Sequence, residues 1–368
     1  MQKKLIALAI AGLASTAAFA QSNVQIYGAI DMGYSYRGDS YINGVKSQSA
    51  IDSGISDGNR LGFKGTEDLG NGLKAVFTLE TGFLADTGVY DGFAGGGLFT
   101  RQALVGLSSD SLGTVVAGRL YNPQYAFLTS IDPFGEGTVG TYLNVVGNDV
   151  SGGLAVIPRL SNAVAYVSPS FSGFNVTAAY SSHGDVASSQ DRVGNSDNNN
   201  RVFGILPRYT NGPIDIGLNY HRISFGEDIG LGLDDLRNWT LGGSYDFGVV
   251  KLAAFYADTR IDPVAGDDLK IKNWMVGATV PFGKHAVKVS YNQSKAKVAD
   301  VDGTSKQWAV GYNYSLSKRT SLYTAYADIS NDQGANDLVR TSTSSDASND
   351  ASVGGYQRGF NIGIMHTF

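Results

Sequence analysis

Along most of the chain, apolar and polar residues alternate with a period of two. Ile214, Ile216, Leu218 and Tyr220 alternate with Asp215, Gly217, Asn219 and His221. Trp239, Leu241, Gly243 and Tyr245 make a similar face, as do Trp274, Val276, Ala278 and Val280, and again Trp308, Val310, Tyr312 and Tyr314. Successive side chains of a strand point to opposite faces, so this period predicts β-structure with one apolar and one polar or small face. The last residues follow the same rule. Phe360, Ile362, Ile364, His366 and Phe368 fall on one side, preceded there by the polar Arg358; Gly359, Asn361, Gly363 and Thr367 fall on the other, with Met365 the apolar exception. A wall with lipid outside and water inside calls for such a division. A soluble sandwich also accepts one such strand, so the segment alone does not decide.

The connections add a count. Seven short segments rich in Gly, Pro, Asn and Asp recur at 65–72 (GTEDLGNG), 108–113, 168–173, 210–213, 246–248, 281–285 and 315–320. That is turn chemistry. Between them lie longer, more polar stretches at 35–59, 85–97, 120–158, 182–200, 222–237, 258–270, 294–305 and 328–355. Short and long connections therefore alternate, as in bacterial barrels with tight turns on one side of the membrane and long loops on the other. Seven turns join fourteen strands in pairs, and the first and last strands make sixteen. The expectation is an all-β, 16-stranded antiparallel transmembrane β-barrel, closing last strand on first, with both termini on the periplasmic side.

The N-terminus supplies an address. Lys3 and Lys4 precede an apolar run over 5–19, and Ala18-Phe19-Ala20 fits a small-x-small cleavage site. Residues 1–20 read as a secretory signal peptide, leaving 21–368 as one barrel domain. The run is too short to span a bilayer, and no later segment is apolar for longer. An exported chain that enters a membrane without a helix must do so as a closed sheet. Composition agrees: 48 Gly, 20 Tyr and 17 Phe, but no Cys, which argues against disulfide scaffolds and cysteine metal sites. Mean hydropathy is −0.09, as expected when lipid-facing and water-facing residues alternate. The formal charge of −5 disfavours nucleic acid as a partner.

All three Trp stand where a strand enters from a long stretch, while Phe171, Phe174, Tyr245, Phe282 and Tyr314 lie beside short turns. These are the positions of two aromatic girdles at the membrane interfaces. Two strands break the pattern: 251–257 and 102–107 are apolar on both faces. A folded loop covering them from inside, or a neighbouring subunit from outside, accounts for that.

Three segments carry a family resemblance: VQIYGAID at 24–31, RLGFKGTEDLGNGLKAVFTLETGF at 60–83 and FTRQALVGLSSDSLGTVVAGR at 99–119, completed by the terminal MHTF at 365–368. Across the mature chain the sequence resembles the general diffusion porins of betaproteobacterial outer membranes. The resemblance implies a homotrimer embedded in outer-membrane lipid and lipopolysaccharide, inserted by the outer-membrane assembly machinery. It also implies passive diffusion of small hydrophilic solutes and ions. The strand ending on Phe360, Ile362, Ile364, His366 and Phe368 resembles the family's C-terminal assembly signal.

The resemblance also implies where selectivity resides. The third long stretch, about 120–158, corresponds to a loop folded into the lumen, and its Asp132-Pro133-Phe134-Gly135-Glu136 resembles the loop tip. Asp132 and Glu136 are the acids expected at the narrowing, with Glu80 on the wall. Opposite stands a basic wall, for which Arg60, Lys64, Lys74, Arg101, Arg119 and Arg159 are the candidates. A charge on the lipid face costs about 2–4 kcal/mol at the midplane, so strand Arg and Lys should point inward. Bases outnumber acids in this set, which points to a mild anion preference. A channel dedicated to one solute, or a surface adhesin, is the alternative on the same barrel. No enzyme, cofactor or metal site is expected, since His183, His221, His285 and His366 sit in separate segments without ligand spacing and no nucleophile motif is present.

Overall fold

The structure is a computed structural model, and it describes residues 23–40, 47–91, 97–146, 156–184, 200–226, 232–332 and 356–368. The expected signal segment, 1–20, lies outside the described residues, as does much of the stretches 182–200 and 328–355. Among the described residues, seventeen strands form one sheet. They are β1 (Asn23–Ser40), β2 (Ser47–Ser53), β3 (Arg60–Gly70), β4 (Leu73–Gly82), β5 (Gln102–Ser109), β6 (Gly113–Tyr121), β7 (Arg159–Val167) and β8 (Phe174–Ser181). Then follow β9 (Arg201–Asn211), β10 (Ile214–Ser224), β11 (Leu233–Asp246), β12 (Lys251–Pro263), β13 (Leu269–Phe282), β14 (His285–Val298), β15 (Val301–Ser315), β16 (Thr320–Asn331) and β17 (Tyr356–Thr367).

Seventeen strands make a sixteen-stranded barrel because β2 and β3 are two pieces of one wall position. Gly38 to Met32 of β1 pair with β2, and Ala29 to Asn23 of the same strand pair with β3. The other edge of β1 pairs antiparallel with β17. Gly28 and Phe368 exchange both backbone hydrogen bonds at 3.1 Å, so the ends of the chain seal the barrel. Closure leaves no open edge, the condition under which a sheet can cross a bilayer.

All seven short turns fall where the pattern expects them. The first has only two residues between its strands: Asn71 (φ 53°) and Gly72 (φ 75°) lie in the left-handed region that such hairpin turns favour. Two of the long polar stretches are mostly strand instead of loop. β12 and β13 leave only 264–268 between them, and β14 and β15 leave only 299–300. The stretch 35–59 is likewise strand at both ends, in β1 and β2. These strands run on past the aromatic rings with charged side chains outward and buried ones such as Ile261, Ile271 and Ala296 inward, so polarity there marks an outer face turned to water and not the end of the ladder. The wall is therefore uneven: β5 to β8 have 8 or 9 residues, whereas β13 to β15 have 14 or 15.

The outer face is apolar and ringed. Tyr220 packs on Trp239, Trp274 on Tyr291 and Trp308 on Tyr326, with centroids 4.4, 5.3 and 5.4 Å apart. Beside the turns, Tyr245 meets Phe247, and His285 stacks on Phe282 and meets Tyr314. On β17 and the residue that follows it, Ile362, Ile364, His366 and Phe368 are exposed and Phe360 is half-buried, while Asn361 between them is fully buried toward the interior.

Candidate functional site

The loop between β6 and β7 enters the lumen because local sequence builds a stop-and-turn there. Helix α1 (Pro123–Ile131) starts on Asn122, whose side chain accepts from Gln124 N at 3.1 Å, with Pro123 in the first turn where no N–H is needed. It ends at Asp132-Pro133. The two carboxylate oxygens of Asp132 accept from Phe134 N at 3.0 Å and from Tyr142 N at 2.9 Å, which folds 132–142 into a closed tip. Gly135, at φ 65°, supplies the left-handed position. Helix α2 (Leu143–Val146) follows.

Shape holds this loop against the far wall. Phe127, Leu128, Ile131 and Tyr142 bury against Leu206, Ala253, Phe255 and Met275. Phe134 and Val139 bury against Ala309, Ala325 and Ala327. Glycines on the inner wall make the approach possible. A Cβ at Gly242 would stand 2.9 Å from Ile131, one at Gly277 2.6 Å from Pro133, and one at Gly311 2.6 Å from Phe134. Above these contacts the wall turns polar. Gln124 Nε2 donates to Asn238 Oδ1 at 2.9 Å and to Thr240 Oγ1 at 3.1 Å; Gln307 Nε2 donates to the carbonyls of Gly140 and Thr141 at 3.0 and 3.1 Å. The doubly apolar stretch 251–257 is thus explained: Ala253 and Phe255 are covered from inside by the loop.

The near wall carries charge. Residues 54–59, between β2 and β3, turn inward and are fixed by Asp31. Its Oδ2 accepts from Ser56 N at 2.5 Å and Asp57 N at 2.9 Å, and its Oδ1 accepts from Tyr323 Oη at 2.5 Å. Thr138 N of the loop donates to Ile55 O, so this excursion also braces the tip. Asp57 is thereby presented to Arg60 in a bidentate pair, 2.6 and 2.9 Å. Arg101, 3 % exposed, donates to Glu80 at 3.0 Å, to Glu136 at 3.2 Å and to Tyr121 Oη at 2.8 Å. Tyr27 and Tyr121 donate to Glu80 at 2.8 and 3.2 Å, and Tyr125 donates to Glu136. Arg159 lies over the Tyr121 ring at 5.2 Å, and Lys64 over the Tyr27 ring at 5.0 Å. Between loop and wall is a cavity of about 510 Å³ lined by Tyr27, Asp57, Arg60, Lys64, Glu80, Arg101, Tyr121, Tyr125, Glu136 and their neighbours.

Two loop carboxylates respond in opposite ways. Burial by itself would raise Glu136, but the Arg101 charge and hydrogen bonds involving Asp57 and Tyr125 hold it well below the usual carboxylate range. Burial pushes Asp57 up to about 6, with Arg60 opposing and the Glu136 charge adding to the rise. One proton shared between the two therefore goes to Asp57.

Of the predicted set, the structure brings Arg60, Lys64, Arg101, Arg159, Glu80 and Glu136 together. Three others lie elsewhere. Asp132 is buried as the anchor of the loop tip, where burial pushes it up to about 7; its backbone-capping role explains the acid without a pore. Lys74 is at the short-turn end, 3.3 Å from Asp110 and half open to solvent. Arg119 donates to Thr100 O and Ser161 Oγ, both at 2.6 Å, and does not line the cavity. Pattern reading missed Asp57, which sits in what read as a polar loop. It also missed Tyr27, although Tyr27, Ala29 and Asp31 share the inward parity of β1. Tyr121 follows a register shift between Gly118 and Leu120, so a strict two-residue count does not place it.

Comparison with known proteins is consistent with this geometry. The family model described as Gram-negative porin matches residues 7–334. The chain is 36% identical over 370 residues to an outer membrane porin protein of Bordetella pertussis, covering 88% of this chain and 93% of that one. It is 34% identical to outer membrane porin protein 32 of Delftia acidovorans over the whole of both chains. Among solved structures, an anion-selective porin from Comamonas acidovorans superposes with a TM-score of 0.76 at 31% identity, covering 95% of this chain and 100% of that one.

Proposed function

Because the chain belongs to the Gram-negative porin family, we propose that the charged cavity between the inward loop and β3 to β7 is the filter of its pore. The protein is an outer-membrane porin, a water-filled barrel for passive diffusion of small hydrophilic solutes and ions. Within it, Arg60, Lys64 and Arg101 face Asp57, Glu80 and Glu136, and Arg159 stands behind them over the Tyr121 ring. The three lining cations balance the three carboxylates, and Arg159, behind the Tyr121 ring, adds the one net positive charge beside the narrowing; that surplus is the observation that carries the reading. Facing rows of opposite sign set up a transverse field that favours hydrated, dipolar solutes and weights ions by sign. The preference is mildly for anions, in keeping with the anion-selective relative.

The assembled form in this reading is a homotrimer. The low wall offers the contact: Val105 is 62% exposed and Leu107 49% on the outer face of β5, the second doubly apolar strand, while Leu104 packs inward. Residues 1–20 are removed on export, the β17 side chains Phe360, Ile362, Ile364, His366 and Phe368 guide insertion by the assembly machinery, and outer-membrane lipid and lipopolysaccharide surround the barrel. The chain acts as a channel and not as an enzyme.

Planar-bilayer recording tests the filter. Under a KCl gradient the wild type reverses on the anion side, with openings in groups of three. Replacing Arg60, Arg101 and Arg159 by Gln moves the reversal potential toward cations; an unmoved potential removes these side chains from the filter.

A further inference from the structure

Strand β1 loses its partner on one edge at Ile30 and Asp31. That edge pairs with β2 down to Met32 and with β3 from Ala29, so these residues stand between the two registers. There the neighbouring chain leaves the ladder as the excursion 54–59, and its backbone N–H groups need other acceptors inside the barrel. Asp31, fully buried, supplies them. Its carbonyl accepts from Gly54 N at 2.9 Å, its Oδ2 accepts from Ser56 N and Asp57 N, and its own N donates to Asn59 Oδ1 at 2.5 Å. Residues 54, 56, 57 and 59 are thus all tied to one residue of β1.

Asp31 is itself held from across the closing seam. Tyr323 on β16, 3 % exposed, donates its hydroxyl to Asp31 Oδ1 at 2.5 Å, a contact between residues 292 apart in sequence. β17 lies between β16 and β1, so this side chain has to pass over a whole strand. The register opens the way: Tyr323 stands opposite Gly363, and Gly363 opposite Gly33. A Cβ at Gly363 would stand 2.5 Å from the ring carbon that bears the Tyr323 hydroxyl. Glycine inside a strand marks such a close approach. Two strand spacings make about 10 Å, which the length of tyrosine and the short arm of Asp31 bridge together. Neither Asp31 nor Tyr323 lines the cavity. What they hold does: the excursion carries Asp57 to Arg60, and its Ile55 carbonyl accepts from Thr138 N of the loop tip.

We propose that Tyr323 and Asp31 are positioning residues of the filter, a lock across the seam that fixes where Asp57 stands and so sets the ion preference of the pore. The inference rests on the filter reading above and assigns part of the selectivity to side chains outside the narrowing. A carboxylate that accepts two backbone N–H groups is a charge-assisted, directional anchor. Its other oxygen is held by the Tyr323 hydroxyl, and without that donor a buried acceptor loses its partner. The carboxylate then turns toward the donors that remain, and the backbone of 56 and 57 turns with it. Asp57 leaves its bidentate pair with Arg60, so one carboxylate fewer opposes the cations. The lock forms only once β17 has paired with β1, which makes closure of the barrel the step that completes the filter.

The test records Tyr323→Phe, which removes one hydroxyl and keeps the ring over Gly363, in planar bilayers under a KCl gradient at neutral pH. The reversal potential moves toward anions by at least half the shift that Asp57→Asn produces, and adding Tyr323→Phe to Asp57→Asn moves it no further. Tyr326→Phe, on the outer face of the same strand against Trp308, leaves the potential at the wild-type value. A second readout does not depend on ion preference. The chain has no cysteine, so Ser56→Cys places a single thiol on the excursion at a half-buried position. Its modification by a small methanethiosulfonate, followed by mass spectrometry on the folded barrel in detergent, is at least tenfold faster when Tyr323→Phe is added. An unchanged thiol rate overturns the lock, and so does a wild-type potential in Tyr323→Phe where Asp57→Asn shifts it. No shift in Asp57→Asn itself refutes the filter reading for that residue, and with it the effect on ion preference, while the thiol rate still decides the lock. If Tyr323→Phe does not form a barrel, Asp31→Asn is read by the same criteria.

Discussion

The two halves of the inner wall meet different neighbours, and their residues differ accordingly. Around the cavity, β3 to β7 present Arg60, Lys64, Glu80, Arg101 and Arg159 to water or to one another. Behind the loop, β11 to β15 present Gly242, Phe255, Met275, Gly277 and Gly311 to a packed protein surface. Both halves face inward. Inward position alone therefore does not fix polarity; what covers the wall does. A barrel interior behaves as a pore lining on one side and as a protein core on the other, with core packing density and core intolerance of added volume.

The sharpest way to break this contrast is to add volume behind the loop. Gly277→Leu drives a side chain into Pro133, 2.6 Å from where the first added carbon would stand. Overpacking of this kind costs about 1–3 kcal/mol, which the loop relieves by shifting toward the cavity. Single-channel conductance should fall by more than half and become noisy. Gly204→Ala is the matched control, because its added carbon would meet nothing closer than 3.7 Å and lies in ordinary contact. Normal conductance in Gly277→Leu would show that the loop is not close-packed on the wall.

The same contrast governs what pattern reading captures. The turns were legible because Gly, Asn, Asp and Pro at chain reversals act locally, as at Asn71-Gly72. The outward faces were legible because lipid imposes one uniform demand over the whole circumference. The cover on 251–257 was legible for the opposite reason: a strand apolar on both faces has nowhere to meet water. Long-range pairings were not legible. Asp57 reaches Arg60 only because Asp31, 26 residues away in sequence from Asp57, ties down the backbone of 56 and 57. Asp132 and Glu136, four residues apart on one loop tip, look equivalent in the chain. One caps backbone N–H groups and the other faces Arg101, and only the fold of the tip separates them.

On the charged half, pH offers a finer probe. Asp57 is pushed up to about 6 while Glu136 stays below the ordinary carboxylate range. Above pH 6 three carboxylates therefore oppose the four cations; as pH falls through 6, Asp57 takes up a proton and two remain. Anion preference should rise across that step, while Glu136 keeps its charge. The sign for stability follows from linkage: a carboxyl raised in the folded state binds its proton more tightly there than in the unfolded chain. Acidification from about pH 6 toward 4 should then stabilise the barrel slightly, not weaken it. Glu136 contributes in the opposite sense, with stability present above the ordinary carboxylate range and lost only in stronger acid. Asp57→Asn should hold the reversal potential at its low-pH value and erase the step between about pH 7 and 5. A step that survives in that variant belongs to another group.

The smallest effect separates filter from vestibule on one stretch of wall. Lys64 and Lys74 are both strand lysines, but Lys64 is opposite Thr78 in register, four residues up β4 from Lys74. That is about 14 Å along the strand, beyond the screening length of about 8 Å at physiological salt. Lys64 borders the cavity over the Tyr27 ring, whereas Lys74 is half open to solvent and already opposed by Asp110. An exposed pair of this kind contributes about 0–1 kcal/mol to stability and little field at a distance. Lys74→Gln should leave both the reversal potential and the thermal midpoint where they are, while Lys64→Gln moves the potential toward cations without moving the midpoint. Equal shifts from the two variants would mean that ion preference is set by the whole near wall down to its rim, and the distinction between a charged filter and a merely wet vestibule would dissolve.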